Sequence, residues 1–103
     1  MICPQRRHVF NQYVVAVAWG ERDALVHHLK SDHIGCDIYY PVPLHLQECL
    51  AFLGYDKGDF PASEEACRNV LALPMYPEMT LEQQQRVIHS CAMFLRKQAR
   101  MAA

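Results

Sequence analysis

Two phenols, an imidazole and a side-chain amide fall within nine residues, Tyr39-Tyr40-Pro41-Val42-Pro43-Leu44-His45-Leu46-Gln47. Proline lacks an N–H and restricts the residue before it, so Pro41-Val42-Pro43 is expected as an extended loop, outside any helix or central strand. A stiff turn of this kind can hold hydrogen-bonding groups in fixed positions at little entropic cost. The residues alone leave two readings open. In one, Tyr39, Tyr40, His45 and Gln47 face a bound molecule. In the other, the tyrosines pack as half-buried aromatics and His45 caps the helix that follows.

Little else in the chain has the spacing of a reactive site. Among six histidines, His33-x-x-Cys36 is the nearest to a metal-ligand pair, and no second pair completes four ligands, so no metal site is expected. Nothing in the spacing singles out one cysteine and one histidine as nucleophile and base. Neither standard glycine-rich phosphate loop occurs, and the four glycines read as turn residues. Five cysteines, an odd number without a Cys-x-x-Cys pair, argue for reduced thiols and a cytoplasmic protein.

The elements that must position the Tyr-Tyr-Pro segment can be read from periodicity. Val9 to Trp19 is rich in β-branched and aromatic residues, with both alternating faces largely apolar. That predicts a strand covered on both sides and broken at Gly20. Arg22 to Ser31 predicts a helix with Leu25 and Leu29 inward, and Gly35 a turn. Cys36 to Tyr40 predicts a second short strand, and Leu46 to Leu53 a helix closed by Gly54. After a loop over Tyr55 to Phe60, Pro61 opens a helix to about Val70, with Glu64 and Glu65 near its positive end. Leu71 to Leu73 predicts a third strand, stopped by Pro74.

Thr80-Leu81-Glu82-Gln83 is a capping box in front of a long helix. Leu81, Val87, Ile88, Cys91, Phe94 and Leu95 form the apolar stripe of that helix. The sum is one small α/β (α+β) layer of about three short strands with helices packed on them. A sheet this small leaves little to cover the second face of the opening strand, which is expected to need further polypeptide.

Composition narrows the functional classes. Half of the 103 residues are hydrophobic, a fifth are charged and the net charge is −1, which is ordinary for one globular domain. Lys and Arg are interspersed with acids, so nothing predicts nucleic-acid binding. Arg96, Lys97 and Arg100 are read as complementing a helix dipole. No apolar core follows Met1-Ile2-Cys3-Pro4-Gln5-Arg6-Arg7, so no secretory signal is read there. The apolar run Val14 to Trp19 is too short to cross a membrane.

Several separated blocks resemble the DegT/StrS-type sugar aminotransferases, in order and with familiar spacing. They are Arg7-His8-Val9-Phe10-Asn11-Gln12-Tyr13-Val14-Val15, Ile34-Gly35-Cys36-Asp37-Ile38-Tyr39-Tyr40-Pro41-Val42-Pro43-Leu44-His45-Leu46-Gln47, Gly58-Asp59-Phe60-Pro61 with Ser63-Glu64, and Leu71 to Thr80. The resemblance covers nearly the whole chain and is to the C-terminal small domain of that family. It implies the aspartate-aminotransferase fold type and transfer of an amino group from glutamate or glutamine to a nucleotide-linked keto-sugar. It also implies pyridoxal phosphate (PLP) as cofactor and homodimers with active sites at the interface.

Residues 1–103 would be the small domain, without the large PLP-binding domain or a separately encoded subunit carrying it. The family's Schiff-base lysine lies in that large domain. Lys30, Lys57 and Lys97 sit in no matching context, so the resemblance assigns no catalytic residue. The chain alone is expected to bind no PLP and to be inactive. By the same resemblance Tyr39, Tyr40 and His45 are the candidate substrate or cofactor contacts, with Gln47 beside them. Two positions depart from the family pattern: Ala16 stands where many members carry Arg, and Cys36 where many carry Thr. A second reading is a free-standing, non-catalytic module that binds a protein partner.

Overall fold

A computed structural model describes residue 7 and residues 9–101. The readings placed on residues 1–6 and on His8 fall outside the described residues, as does the side chain of Trp19.

The sheet is short because its second strand is fenced on both sides. Helix α2, Pro61–Asn69, opens with proline in its first turn, where a missing N–H is harmless. It runs without a loop into β2, Val70–Leu73. Pro74 cannot donate to a ladder, and β2 stops there after four residues. Its partner β1 is therefore Tyr13–Ala16, antiparallel, in the register Tyr13↔Leu73, Val14↔Ala72, Val15↔Leu71, Ala16↔Val70. The expected strand from Val9 to Trp19 contracts to these four residues and one further bond, from the Val17 N–H to the Asn69 carbonyl at 2.8 Å. Before it, Phe10 takes a left-handed φ of 48°. After it, a 3-10 turn over Ala18–Gly20 ends on Gly20 at φ 75°, a value glycine adopts without strain.

The expected strand Cys36 to Tyr40 is corrected to a single bridge. Asp37 and Ala72 exchange both backbone bonds, at 3.2 and 2.7 Å, and the pairing goes no further. Among the described residues the sheet thus has two strands plus this bridge, and the α/β class stands.

Residues opposite one another in an antiparallel pair share a face. Val15, Leu71 and Leu73 face the core with Val17, Leu25, Leu29, Ile34, Val87 and Phe94. Leu29 and Leu71 are fully buried, each worth about 1.5–3 kcal/mol by transfer from water. On the opposite face Val14 and Ala16 are exposed. The strand that reads as apolar on both sides is covered on one. The radius of gyration is 16.1 Å, against about 13 Å for a compact domain of this length.

Helix α1, Arg22–Ser31, buries Leu25 and Leu29 as the spacing predicts. It ends in a Schellman motif. The Ile34 N–H donates to the Leu29 carbonyl at 2.9 Å and the His33 N–H to the Lys30 carbonyl at 3.1 Å. The left-handed residue is His33, at φ 56°, not the expected turn residue Gly35.

Helix α3, Leu81–Met101, opens with the predicted capping box. The Gln83 N–H donates to Thr80 Oγ1 at 3.2 Å and the Thr80 N–H to Gln83 Oε1 at 2.9 Å. Only part of its apolar stripe faces inward: Val87 and Phe94 are buried and Cys91 packs against them, whereas Leu81, Ile88 and Leu95 are exposed.

Polar ties join these elements. Arg22 Nη1 donates to the carbonyls of Cys67 and Val70, both at 3.1 Å, pinning the start of α1 to the junction of α2 and β2. The His28 ring lies 5.6 Å from that of Phe94, and its Nε2 donates to the Ser90 carbonyl at 3.1 Å.

Candidate functional site

The Asp37 bridge anchors the start of the Tyr-Tyr-Pro segment. Tyr39 Oη donates to Asp37 Oδ2 at 3.3 Å, and the charge of Asp37 pushes the phenol pKa up. Tyr40 is 64% exposed. The peptide bond joining the two tyrosines is cis. Their ring centroids are 5.9 Å apart, edge to face, so they are neighbours and not residues on opposite faces of a strand.

Pro43 is buried in extended geometry, φ −64° and ψ 147°, and leads into a 3-10 turn over Leu44–Leu46. That turn carries the His45 side chain inward to 8% exposure. His45 Nε2 lies 3.1 Å from Glu64 Oε1 in α2. A carboxylate only accepts, so Nε2 carries the proton. The Gly58 N–H donates to the same oxygen at 2.6 Å. Gly58 has φ 103°, a conformation that an L side chain would strain. The Glu64 pKa is lowered, chiefly by the Gly58 N–H and then by the bond and charge of His45 and the charge of Arg68, against desolvation. Phe60 closes the cluster, with its ring 4.8 Å from His45 and 5.0 Å from Tyr55.

Gln47 Nε2 reaches the Val42 carbonyl at 3.5 Å. The expected helix from Leu46 to Leu53 is two 3-10 pieces, Leu44–Leu46 and Glu48–Leu53, interrupted at Gln47 where ψ is 136°. Gly54 closes the second at φ 72°, as expected.

Two clefts flank the tyrosines. One, of about 400 Å³, has Lys30, Cys36, Asp37, Tyr39 and the amides of Asn11 and Gln12 in its wall. The other, of about 240 Å³, lies between Tyr40, Val42, Leu44 and α2. Tyr40, Val42 and Leu44, which line the second cleft, leave much of their apolar surface exposed, and Phe52, Leu53 and Phe60 of the following segment are exposed as well. The structure therefore brings Tyr39 and Tyr40 together, keeps Gln47 close to the loop backbone, and turns His45 away into a buried pair. Glu64, expected near the positive end of α2 and part of a family-like block with Gly58, holds that pair.

A PLP site needs a lysine aldehyde partner, an acid at the pyridinium nitrogen and donors for a phosphate. Among the described residues Lys57 and Lys97 lie on exposed surface. Lys30 borders a cleft at the carbonyl end of α1, where a helix dipole disfavours an anion. The described residues do not fit the cofactor.

The sequence matches the family model described as the DegT/DnrJ/EryC1/StrS aminotransferase family over residues 2–92. The chain belongs to this family. A "pleiotropic regulatory protein" of Geobacillus stearothermophilus is 46% identical over 91 residues, covering 88% of this chain and 24% of that protein. A dTDP-3-amino-3,4,6-trideoxy-alpha-D-glucose transaminase of Micromonospora megalomicea is 36% identical, covering 81% of this chain and 22% of that one.

Among solved structures, DesV of S. venezuelae, in complex with a ketimine intermediate, superposes with TM-score 0.85 at 31% identity. The match covers 91% of this chain and 25% of that one. An aminotransferase of the same family from Brucella abortus superposes at TM-score 0.69 and 34% identity, over 81% of this chain and 22% of that chain. The chain thus spans about a quarter of the length of these family members. The expected relation to part of a sugar aminotransferase is borne out.

Proposed function

We propose that this chain is the C-terminal small domain of a PLP-dependent aminotransferase, and that it acts only with the PLP-binding part of such an enzyme. The substrate class is a nucleotide-linked keto-sugar, with glutamate or glutamine as amino donor, in a cytoplasmic homodimer. The names of family members support the sugar class, since they include transaminases of dTDP- and UDP-linked sugars. The observation that carries the reading is the aromatic face itself. Tyr40, 64% exposed and touching the Tyr39 ring, presents a hydroxyl with no hydrogen bond among the described residues, beside exposed Val42 and Leu44.

PLP, when bound by the other part, supplies the electron sink for the transfer. This chain's own residues would orient the sugar nucleotide through Tyr39 and Tyr40, with Gln47 at the loop's edge, and exclude water with Phe52, Leu53 and Phe60. The test is co-expression with the PLP-binding portion of a family member, followed by assay of amino transfer to dTDP- and UDP-linked keto-sugars. Activity that requires both parts is the expected result. A stable complex that binds PLP and transfers nothing to any such sugar would refute the reading, as would failure of the two parts to associate.

A further inference from the structure

We infer that Glu64 is a positioning residue: its carboxylate latches the segment from Pro43 to Phe60 onto α2 and so holds the aromatic face in place. This segment has little core of its own. Between Pro41 and Ser63 only Pro43 and His45 are buried. Its two 3-10 pieces pack chiefly on each other. Where an apolar side chain would normally fasten such a lobe to a helix, the buried contact is polar. One oxygen of Glu64 accepts from the His45 ring at 3.1 Å and from the Gly58 backbone at 2.6 Å. These two donors come from near the two ends of the segment, so a single carboxylate gathers both. The His45 ring in turn packs at a tilt against Phe60, directly before α2.

A buried carboxylate of this kind is directional, whereas apolar contacts tolerate sliding. Loss of one partner leaves the other group buried and unsatisfied, which makes the latch close to all-or-none. The lobe should then open as a local unit while the α1–α3 core stays closed. That Tyr39 and Tyr40 face a sugar nucleotide rests on the function proposed above; the latch itself does not.

Amide hydrogen exchange on this chain, without cofactor or partner, tests the latch. In Glu64→Ala, exchange at Gly58 and through residues 44–60 is expected to quicken at least tenfold, with amides of Leu25, Leu29, Val87 and Phe94 unchanged. His45→Gln, which keeps a donor near the Nε2 position, should stay close to the parent, and His45→Leu should behave like Glu64→Ala. Should Glu64→Ala fail to fold, the acid titration of the Gly58 amide proton in the unaltered chain gives an independent readout of the same contact. Protection lost equally in the lobe and the core, or unchanged in both, would overturn the inference. So would a Gly58 amide proton that does not follow the titration of a carboxylate.

Discussion

The hydroxyl of Ser90 donates to the carboxylate of Asp32 at 2.6 Å, tying the end of α1 to the middle of α3. Ser90 is buried at 4% exposure, while the Asp32 side chain is about half exposed. On removal of the hydroxyl, water can still solvate the carboxylate, so no buried charge is stranded. Ser90→Ala is therefore expected to lose about 1–1.5 kcal/mol, the upper part of the range for an ordinary hydrogen bond and no more than the bottom of that for bonds to charged groups. Urea unfolding followed by circular dichroism would measure it. The Arg86 guanidinium, which donates to the Asp32 carbonyl at 2.6 Å, keeps the two helices joined in the variant.

His33 closes α1 in a left-handed conformation that glycine adopts freely. Its side chain is exposed and does not enter the motif, which is made by its backbone and that of Ile34. His33→Gly is expected to raise stability by about 0.5–1 kcal/mol, because relief of the strained φ outweighs the added freedom of the unfolded chain. A lower urea midpoint in this variant would contradict the assignment.

The contrast between His33 and Gly35 shows where the sequence could be read and where it could not. Local signals held. The capping box at Thr80, the proline that opens α2, the Leu25–Leu29 pair and the Gly54 cap all lie where spacing puts them. Signals that depend on distant partners failed. The length of β1 is set by β2, and that in turn by the end of α2 and Pro74. The segment Cys36 to Tyr40 looks like a strand, yet it meets β2 at one residue. Leu46 to Leu53 is helical in pattern, yet most of its apolar residues are exposed, and without burial a short helix gains too little to close its α turns. That Tyr39, Tyr40 and Gln47 lie along one loop was legible because proline marks it. The inward turn of His45 was not, because its partner Glu64 lies 19 residues away.

Glu64 also predicts how stability depends on pH. Its folded pKa is below the unfolded one, held there first by the Gly58 N–H and then by His45 and Arg68. A depressed carboxyl pKa contributes stability that is present above the ordinary carboxylate range and is lost as pH falls through the folded value. Acidification from neutral should lower the urea midpoint of the unaltered chain. Glu64→Gln should show a shallower acid dependence. Parallel curves for the two proteins would remove Glu64 from the account.

The thiols should react in order of access. Cys36 and Cys91 are partly buried, and burial pushes both thiols up in pKa, opposed at Cys36 by the charge of Lys30 and reinforced at Cys91 by Cys36. Cys49 is exposed. Brief treatment with iodoacetamide at neutral pH, followed by peptide mapping, is expected to label Cys49 before Cys36 and Cys91, since the thiolate is the attacking form. Equal labelling of all three would mean that the core around Ile34 and Val87 opens readily.

The tyrosines test the proposed function most directly. In the enzyme reconstituted with a PLP-binding part, Tyr40→Phe removes a hydroxyl that no described residue of this chain engages, so the stability of the chain should not change. If that phenol meets a phosphate or sugar oxygen, its loss costs about 1.5–3 kcal/mol, a tenfold to hundredfold fall in kcat/KM. Tyr39→Phe differs, because its hydroxyl already donates to Asp37. The bond is long and exposed, so its removal should change stability by less than about 0.5 kcal/mol. Any large loss of activity would then mean that Tyr39 leaves Asp37 for the substrate in the complete site. His45→Leu should act through the loop and lower stability and activity together, since the ring is buried against Glu64. Full activity in all three variants would show that this loop only packs, and that the sugar nucleotide is held elsewhere.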